Sequence, residues 1–424
     1  MVKMKQQAYR ARILSPVSTS ETKDFLDGVL LVEDGKIISC QPYQDTLYSA
    51  LPITDFKGLL IIPGLVDLHS HIPQLDCRGK YGVTLLDWLD RYIFPAEKSF
   101  SDLNVVDQIA TRFFKKLILN GTTTSLLYST IHEAATHRCF EIAQASGLRA
   151  IIGKVMMDQH SPEGLLEKTK NSLAASERLC SFWHGKEDGR LHYAFTPRFA
   201  PTCSETLWRE ISSLVKSSGA YLQTHIAETL GENKRVQELF PQFKDYFSLF
   251  EETGCACEKT VFAHAIHLSD NEYNRLGKSK SAIAHCPTSN LFLKSGTMPI
   301  KKVEDAGIHF GFGTDLGAGL SLSLFQEMRH ADYSQREIDV LPTKAFYLAT
   351  LGGARALNLE DHIGSLEQGK KADFCVVDIS HVEPAFKLNK LDTNEILSLL
   401  MYRGNGRAIQ KTFVNGNELK VDFI

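Results

Sequence analysis

The chain has 424 residues, of which 43% are hydrophobic and 23% are charged, and its formal net charge at pH 7 is −3. This balance is typical of an ordinary globular protein, and a chain of this length can bury a large core. There is no basic block, so nothing favours nucleic acid or an anionic membrane as a partner, and no apolar stretch approaches the ~20 residues that span a bilayer. The N-terminus leads into no hydrophobic signal core and the nine cysteines are scattered, so we expect a cytoplasmic protein with reduced thiols.

Both ends of the chain have strand character. Near the N-terminus, two short apolar runs flank Asp34-Gly35, a dipeptide that favours a hairpin turn. Near the other end, segments 372–378 and 412–417 also have the pattern of strands. We interpret the two ends as folding together into one small β-sandwich domain beside the main domain. The predicted parts of the chain, with the main domain in the middle, are residues 1–62, 63–364 and 365–424.

Between these ends, eight apolar segments of strand type alternate with longer polar or amphipathic stretches. Ser101–Leu119, Gly231–Phe240 and Leu322–Asp332 have roughly helical spacing of their apolar residues. Alternating strands and helices predict a parallel sheet, and eight repeats predict an α/β protein with a closed (β/α)₈ TIM-like barrel. The predicted strands are Leu59–Val66, Thr122–Tyr128, Ala150–Met157, Leu191–Phe195, Ala220–Thr224, Thr260–His264, Ala282–His285 and Ile308–Gly313.

The first predicted strand leads into a pair of histidines. The apolar run Leu59–Ile62 is bounded by Pro63-Gly64, and His69 and His71 follow two residues apart. On a strand this spacing puts both side chains on one face, which makes a half-site for a divalent transition metal. Since His-x-His pairs are common, the pair alone does not establish a metal site.

Further ligand-type residues follow later apolar runs. They are Arg198, His225, His264 and Asp315, and in a (β/α)₈ barrel the carboxyl ends of the strands carry the catalytic groups. Three imidazoles (His69, His71, His225) with the Asp315 carboxylate suit Zn²⁺ or Fe²⁺ better than Mg²⁺ or Ca²⁺. A water bound to such a metal has a pKa of about 7, so a metal-bound hydroxide is available near neutral pH.

Three residues are candidates for proton transfer and orientation around this site. Glu228, three residues after His225, is placed to act as general base and then general acid, His264 to orient the hydroxide, and Asp315 to accept a proton from the water. The implied reaction is metal-assisted hydrolysis at an electron-poor carbon. Each residue has a structural alternative: a first-turn helix residue for Glu228, a core histidine for His264 and a helix cap for Asp315. Lys154 falls on the third strand, so we expect a single metal without a bridging carboxylated lysine.

The motifs that carry these residues resemble the amidohydrolase superfamily, in its metal-dependent deaminase and chlorohydrolase branch. The resemblance rests on segments 63–71, 225–228, 285–290 and 313–315, and it extends from about residue 60 to residue 375. More specific stretches resemble the guanine deaminase family. These are the segments 71–74, 85–89, 94–97, 153–158 and 196–199.

The resemblance implies hydrolysis of guanine to xanthine and ammonia by a homodimer with one Zn²⁺ per subunit, or Fe²⁺ in its place. It implies that His69, His71, His225 and Asp315 hold the metal, that Glu228 shuttles protons, and that Gln74, Arg198 and Phe199 bind the purine. Trp88, His225 and Glu228 are further candidates for substrate binding. Arg198 can donate to a purine carbonyl oxygen, and Gln74 has both a donor and an acceptor for ring nitrogens. Phe199 and Trp88 supply apolar faces, although Trp88 is equally explained as a core anchor of the loop after strand 1.

Two other functions stay open at this stage. The same scaffold can serve an aminohydrolase of another heterocycle, such as 8-oxoguanine, a pterin, a triazine or an adenosine-type substrate, because related rings share the edge of guanine. A non-enzymatic scaffold that binds partner proteins is the alternative from another class. Such a scaffold is expected to have lost metal ligands, and this chain has the complete set.

Overall fold

The computed structural model describes residues 6–48, 51–82, 85–385 and 387–423. Its strands, in chain order, are β1 Gln6–Pro16, β2 Thr22–Glu33, β3 Lys36–Pro42, β4 Ile53–Pro63, β5 Leu65–His71, β6 Thr122–Tyr128, β7 Arg149–Gly153, β8 Val155–Met156, β9 Leu191–Pro197, β10 Tyr221–Ile226, β11 Thr260–His264, β12 Ala282–His285, β13 Phe310–Phe312, β14 Phe374–Val377, β15 Ile409–Val414 and β16 Asn417–Glu418.

The helices fill the connections between these strands. In chain order they are α1 Asp45–Tyr48, α2 Leu85–Trp88, α3 Phe94–Ser99, α4 Leu103–Leu119, α5 Glu133–Ser146, α6 Thr169–Trp183, α7 Lys186–Gly189, α8 Glu205–Ser218, α9 Leu230–Leu239, α10 Tyr246–Glu252, α11 Asp270–Lys278, α12 Pro287–Phe292, α13 Ile300–Asp305, α14 Leu324–Ser334, α15 Pro342–Tyr347, α16 Gly353–Ala356 and α17 Thr393–Arg403. A 3₁₀ helix, Ile72–Cys77, directly follows β5. Among the described residues, no helix is both long enough and apolar enough to cross a membrane.

A parallel barrel forms the centre of the molecule. Its strands lie in the order β13-β12-β11-β10-β9-β7-β6-β5, and the short β8 pairs with β9. The two ends of this order also meet, because the backbone N–H of Asp315 donates to the carbonyl of His69 at 2.8 Å. The predicted (β/α)₈ fold is therefore confirmed, and it brings the carboxyl ends of β5, β9, β10, β11 and β13 to one mouth.

An apolar stripe and a capping residue at the N-terminal end explain where the outer helices form, as α4 illustrates. In α4, Val106, Ala110, Phe113 and Leu117 recur three or four residues apart and are buried against the barrel. The Asp102 carboxylate caps the helix by accepting from the backbone N–H of Asn104. The predicted helix, Ser101–Leu119, differs from α4 only by two residues at its start, because that start is set by the cap.

The first predicted barrel strand, Leu59–Val66, is wrong in its boundaries. The apolar run belongs to β4, which pairs with β1 and β14 in a second sheet, and the barrel begins only with β5. The chain changes sheet at Gly64, where a Cβ atom would lie 2.1 Å from the Thr123 hydroxyl, so that only glycine fits. His69 and His71 therefore lie within the first barrel strand, and their side chains share the face that the period of two requires.

The second sheet is built from both chain ends, as predicted. Its seven strands run in the order β16-β15-β14-β4-β1-β2-β3, and the β2–β3 turn has positive φ at Asp34 and Gly35. The strands form one continuous sheet, and Tyr9 of β1 packs against Phe374 and Phe413 from the far end, at ring-centroid distances of 5.1 and 5.4 Å. The sheet thus bends over its own core. The domain boundaries at residues 62 and 364 stay predictions, and residues 1–5 and 424 of the predicted end domain lie outside the described part.

Candidate active site

Four histidines and one carboxylate meet at the mouth of the barrel. Nitrogen atoms of His69, His225 and His264 lie within 4.8 Å of one another, and so do ligand-type atoms of His69, His71 and Asp315. One oxygen of Asp315 lies 3.3 Å from Nε2 of His69 and 3.3 Å from Nε2 of His71. The structure thus brings together the residues that the sequence predicted from β5, β10, β11 and the segment after β13.

The donor atoms of this cluster are free to bind an ion. Nε2 of His69 is buried without a hydrogen-bond partner in the described part of the chain, and His71 faces the same Asp315 oxygen through its own Nε2. Nδ1 of His225 lies 2.6 Å from the carbonyl of Arg198, so this nitrogen carries the proton and Nε2 keeps its lone pair. A second ring nitrogen anchored on a backbone carbonyl is the usual arrangement for a metal-binding histidine.

The electrostatics of the cluster favour the protonation states that a divalent cation needs. Burial lowers the pKa of His69 to about 4, and burial also lowers the pKa values of His71 and His225. Burial opposes ionisation of Asp315, but the close approach of His69 and His71 outweighs it and holds the pKa of this carboxyl well below its usual range. Neutral imidazoles and an ionised carboxylate are the metal-binding forms of these side chains.

Asp67 joins the first strand of the barrel to the segment that carries Asp315. Its buried carboxylate accepts from the backbone N–H of His69 at 3.2 Å and from the backbone N–H and hydroxyl of Thr314 at 3.0 and 2.6 Å. Asp67 therefore holds the backbone of one candidate ligand, His69, and the residue next to another, Asp315, in one arrangement. Asp67 lies two residues before His69 in the same strand, and this position is the only feature of the sequence that could have indicated its role.

Four non-glycine residues at the same mouth have backbone in the left-handed region. Ala227, His264, Ala265 and Asp315 all have positive φ, between 43° and 72°. Each such residue costs about 1–3 kcal/mol, and strained residues persist where the surrounding structure over-determines them. The strain sets the directions in which His264 and Asp315 leave their strands, and so it belongs to the geometry of the site.

Two carboxylates follow β10. Glu228 accepts from the hydroxyl of Ser295 at 3.0 Å, and its backbone N–H donates to Glu232 at 2.8 Å. The Tyr246 hydroxyl donates to the other oxygen of Glu232 at 2.5 Å, and burial raises the pKa of Glu232 to about 7. Glu228 itself faces the cluster, since its Oε2 lies 3.9 Å from Nε2 of His264. Sequence reasoning missed Glu232, although it follows Glu228 by one helical turn.

His264 is held by its neighbours in a defined orientation. Nδ1 lies 2.9 Å from the side-chain oxygen of Asn290, so the Nδ1–H donates there and Nε2 is directed toward Glu228 and Asp315. Burial opposes protonation of His264, but the carboxylates of Glu228 and Asp315 outweigh it and raise its pKa. Asn290 belongs to segment 285–290, but the sequence of that segment did not predict its contact with His264.

A cavity with an empty volume of about 490 Å³ opens beside the cluster. The predicted residues that line it are His71, Gln74, Trp88, Arg198, Phe199, His225, Glu228, His264 and Asp315. Trp88 also packs with Leu89, and its indole N–H donates to the carbonyl of Lys80 at 2.8 Å, so it has the contacts of both a pocket wall and a core anchor. His69 lies behind this wall, against Asp315.

Arg198 and Gln74 both contact the buried carboxylate of Glu97, a residue to which the sequence analysis assigned no role. Nη1 of Arg198 lies 2.6 Å from each oxygen of Glu97, and Nε2 of Gln74 lies 3.3 Å from one of them. Lys154, in contrast, is directed to Glu167 at 2.6 Å and to Ser172, so it is engaged away from the histidine cluster. This placement agrees with the expectation of a site without a bridging lysine.

The chain matches the amidohydrolase family model over residues 60–419. It belongs to the amidohydrolase family. It is 37% identical over 400 residues to a guanine deaminase of Escherichia coli K12, which covers 92% of this chain and 90% of that protein. A human guanine deaminase is 33% identical, with 84% of this chain and 82% of the relative covered.

Solved structures give the same result at the level of the fold. A guanine deaminase of C. acetobutylicum with guanine bound in its active site superposes with a TM-score of 0.93, at 31% identity, over 98% of this chain and 100% of that one. An adenosine deaminase and an atrazine chlorohydrolase also match, at 23% and 20% identity, and at that distance they show the shared fold alone. The family is metal-dependent, in agreement with the histidine and aspartate cluster.

Proposed function

We propose that this protein hydrolyses guanine to xanthine and ammonia. Water adds to C2 of the base, the exocyclic C2–N bond breaks, and the amino group leaves as ammonia. One observation carries the proposal: Glu228 and the histidine cluster share a single cavity with Arg198 and Gln74, which are suited to the polar edge of an oxopurine. The likeness to guanine deaminases from bacteria and mammals supports it.

We assign one divalent metal to His69, His71, His225 and Asp315, with Zn²⁺ as the expected ion and Fe²⁺ as the alternative. The unpartnered Nε2 of His69, the Nε2 of His71 beside Asp315 and the anchored His225 fit such an ion, and the nitrogen-rich ligand set suits Zn²⁺ better than Mg²⁺. Its chemical contribution when bound is to lower the pKa of a coordinated water to about 7.

Glu228 is the proton carrier in this proposal. Its Oε1 is occupied by the Ser295 hydroxyl, so Oε2, which faces His264, is the oxygen that takes a proton from the attacking water and later gives it to the leaving amino group. His264, held by Asn290, orients the water through Nε2. Asp315 offers a second carboxylate oxygen, 3.8 Å from the same nitrogen, that can accept the proton of the water.

Base recognition is assigned to the opposite wall of the cavity. Arg198 donates to the C6 oxygen of guanine, which an adenine-type base replaces with an amino group that is not an acceptor. Gln74 contacts a neighbouring ring position, and Phe199 and Trp88 cover the flat faces of the base. His225 and Glu228 complete the contacts around the ring.

The test is ammonia release by the purified protein from a panel of guanine, 8-oxoguanine, a pterin, a triazine and adenosine, with metal analysis of the same sample. We expect guanine to give the highest kcat/KM. Faster turnover of another heterocycle would assign the site to that substrate, and no turnover of any of them by metal-loaded protein would favour the non-enzymatic scaffold.

Glu228→Gln is the sharpest variant for the mechanism. It should keep its metal and lose about 10²–10⁴-fold in turnover, because general acid–base catalysis is typically worth that much. Ser295→Ala, which removes only the hydrogen bond to Glu228, is the matched control and should lose far less. Near-normal turnover of Glu228→Gln would remove Glu228 from the mechanism.

The resemblance also leads us to propose a homodimer in the cytoplasm. Size-exclusion chromatography with light scattering measures the oligomeric state directly. A monomer at micromolar concentration would contradict the proposed assembly while leaving the proposed reaction untouched.

A further inference from the structure

Glu97 is an unusual carboxylate for the wall of a substrate cavity. It lies on the short helix α3, is 1% exposed and contacts Arg198 and Gln74, which both line the cavity. Both of its oxygens accept from Nη1 of Arg198 at 2.6 Å, and Oε1 also accepts from Nε2 of Gln74 at 3.3 Å. A buried carboxylate with such partners stays in place only because they compensate the loss of its hydration.

The contact with Glu97 decides which atom Gln74 offers to a ligand. An ionised carboxylate only accepts hydrogen bonds, so Gln74 must turn its NH₂ group toward Glu97 and its amide oxygen the other way. That oxygen lies next to Gly317, where a Cβ atom would approach it to 2.2 Å. Gln74 therefore acts toward the base as an acceptor, whereas the sequence alone allowed it either role.

Glu97 also determines how Arg198 is presented. Only Nη1 of the guanidinium is used by Glu97, and in the described part of the chain no other side chain or carbonyl accepts from it. The Nε and Nη2 donors are thus left for a ligand, and the ion pair holds the guanidinium at its Nη1 end. Phe94 lies on one side of this guanidinium, with its ring centroid 5.6 Å from Cζ.

We propose that Glu97 is a positioning residue for base recognition: its buried carboxylate fixes the guanidinium of Arg198 and the amide orientation of Gln74, so that the cavity presents donors beside an acceptor. This pair matches an N–H group next to a C=O group on a heterocycle, as at N1 and C6 of guanine. The inference deepens the proposed function and rests on it for the identity of the base.

The first part of the test compares Glu97→Gln, Glu97→Asp and the control Asp373→Asn. Asp373 forms an equally buried pair with Arg149, at 3.1 Å, at the amino end of the barrel strands and outside the substrate cavity. Glu97→Gln should lower kcat/KM for guanine by about 10²-fold, because a misplacement of about 1 Å can cost that much, with metal content unchanged. Glu97→Asp keeps the charge and should recover part of the loss. Asp373→Asn should lower the melting temperature without changing kcat/KM.

The second part measures selectivity, which a purely structural role would not change. 2-Aminopurine has the same C2 amino group but lacks the C6 oxygen, so the wild-type protein should prefer guanine. Glu97→Gln should reduce that preference by about tenfold or more, since the donors that distinguish the two bases are no longer held. Asp373→Asn should leave the ratio unchanged. An unchanged ratio and a near-normal kcat/KM in Glu97→Gln would overturn the positioning role.

A crystal structure of the Glu97→Gln variant tests the positioning role without any assumption about the substrate. Displacement of Arg198 and of the Gln74 amide from their wild-type positions is expected, and both side chains remaining in place would refute the inference. Failure of the wild-type protein to deaminate guanine would instead refute the proposed function, and the crystal structure would still decide whether Glu97 positions the two side chains.

Discussion

Gly317 gives the most direct test of the base-recognition wall, because its missing side chain leaves the room that Gln74 occupies. Its φ is +129°, and a Cβ atom added there would lie 2.2 Å from the amide oxygen of Gln74, 2.9 Å from its Cβ and 3.1 Å from its Cδ. Ordinary contacts of a Cβ begin at 3.4 Å. Gly317→Ala therefore requires Gln74 or the Gly317 backbone to move by about 1 Å.

The substitution has two separable effects. A non-glycine residue at this φ costs about 1–3 kcal/mol of stability, whatever the space around it. Displacement of Gln74 by about 1 Å should in addition lower kcat/KM for guanine by about 10²-fold, mostly through KM if Gln74 contacts the base in the ground state as well as in the transition state. The metal content should not change, because Gln74 is not among the proposed ligands.

Gly369→Ala is the matched control for the conformational effect alone. Gly369 also has positive φ, +90°, but nothing lies within 4 Å of an added Cβ atom. Steady-state kinetics with guanine and thermal unfolding of both variants separate the two effects: stability should fall in both, and kcat/KM only in Gly317→Ala. If Gly317→Ala keeps wild-type kcat/KM while its stability falls as in Gly369→Ala, the position of Gln74 does not matter for the reaction.

Three further outcomes follow from the contacts at the barrel mouth. Asp67→Asn should weaken metal binding by about 10–100-fold in a chelator competition, because it loosens the residues beside His69 and Asp315, and unchanged affinity would exclude Asp67 from this role. Arg198→Ala should lower guanine turnover at unchanged metal content; metal loss would show that Arg198 supports His225 through more than its carbonyl. Burial raises the pKa of Glu232 from 4.5 to about 7. The contribution of Glu232 to the free energy of unfolding is therefore fully present below pH 4.5 and is lost as the pH rises to 7, a decrease of about 3 kcal/mol. Urea unfolding across this range should show that Glu232→Gln lacks this pH dependence, and parallel pH profiles of variant and wild type would contradict the assigned pKa.

Some strands were predictable at both of their ends. Thr122–Tyr128, Thr260–His264 and Ala282–His285 agree with the structure at both boundaries. The first strand was not, because the apolar residues on both sides of Pro63-Gly64 were assigned to one strand although the chain changes sheet at Gly64. Hydrophobicity reports burial, and Ile62 and Leu65, on either side of Gly64, are buried in the same core, so periodicity alone cannot locate the boundary.

Some residues of the candidate site could be predicted from the sequence, and others could not. The candidate ligands were predictable because they recur at strand ends, and the barrel brings all strand ends of one polarity together. Glu97 and Glu232 lie on helices after strands, where many carboxylates are exposed and only the tertiary packing selects these two for burial. The amide orientation of Gln74 was likewise beyond the sequence, because it depends on Glu97, which is 23 residues away along the chain.

Arg198 contacts both halves of the proposed site. Its carbonyl is 2.6 Å from Nδ1 of His225 and so fixes which nitrogen of His225 faces the histidine cluster, while its guanidinium, held by Glu97, is the group that we propose to bind the base. In this proposal, the position of the base relative to the cluster is set by a single backbone segment, after β9. Because the carbonyl contact does not depend on the side chain, base recognition on this scaffold can change by substitution at Arg198, Gln74 or Glu97 while the metal-binding geometry is retained.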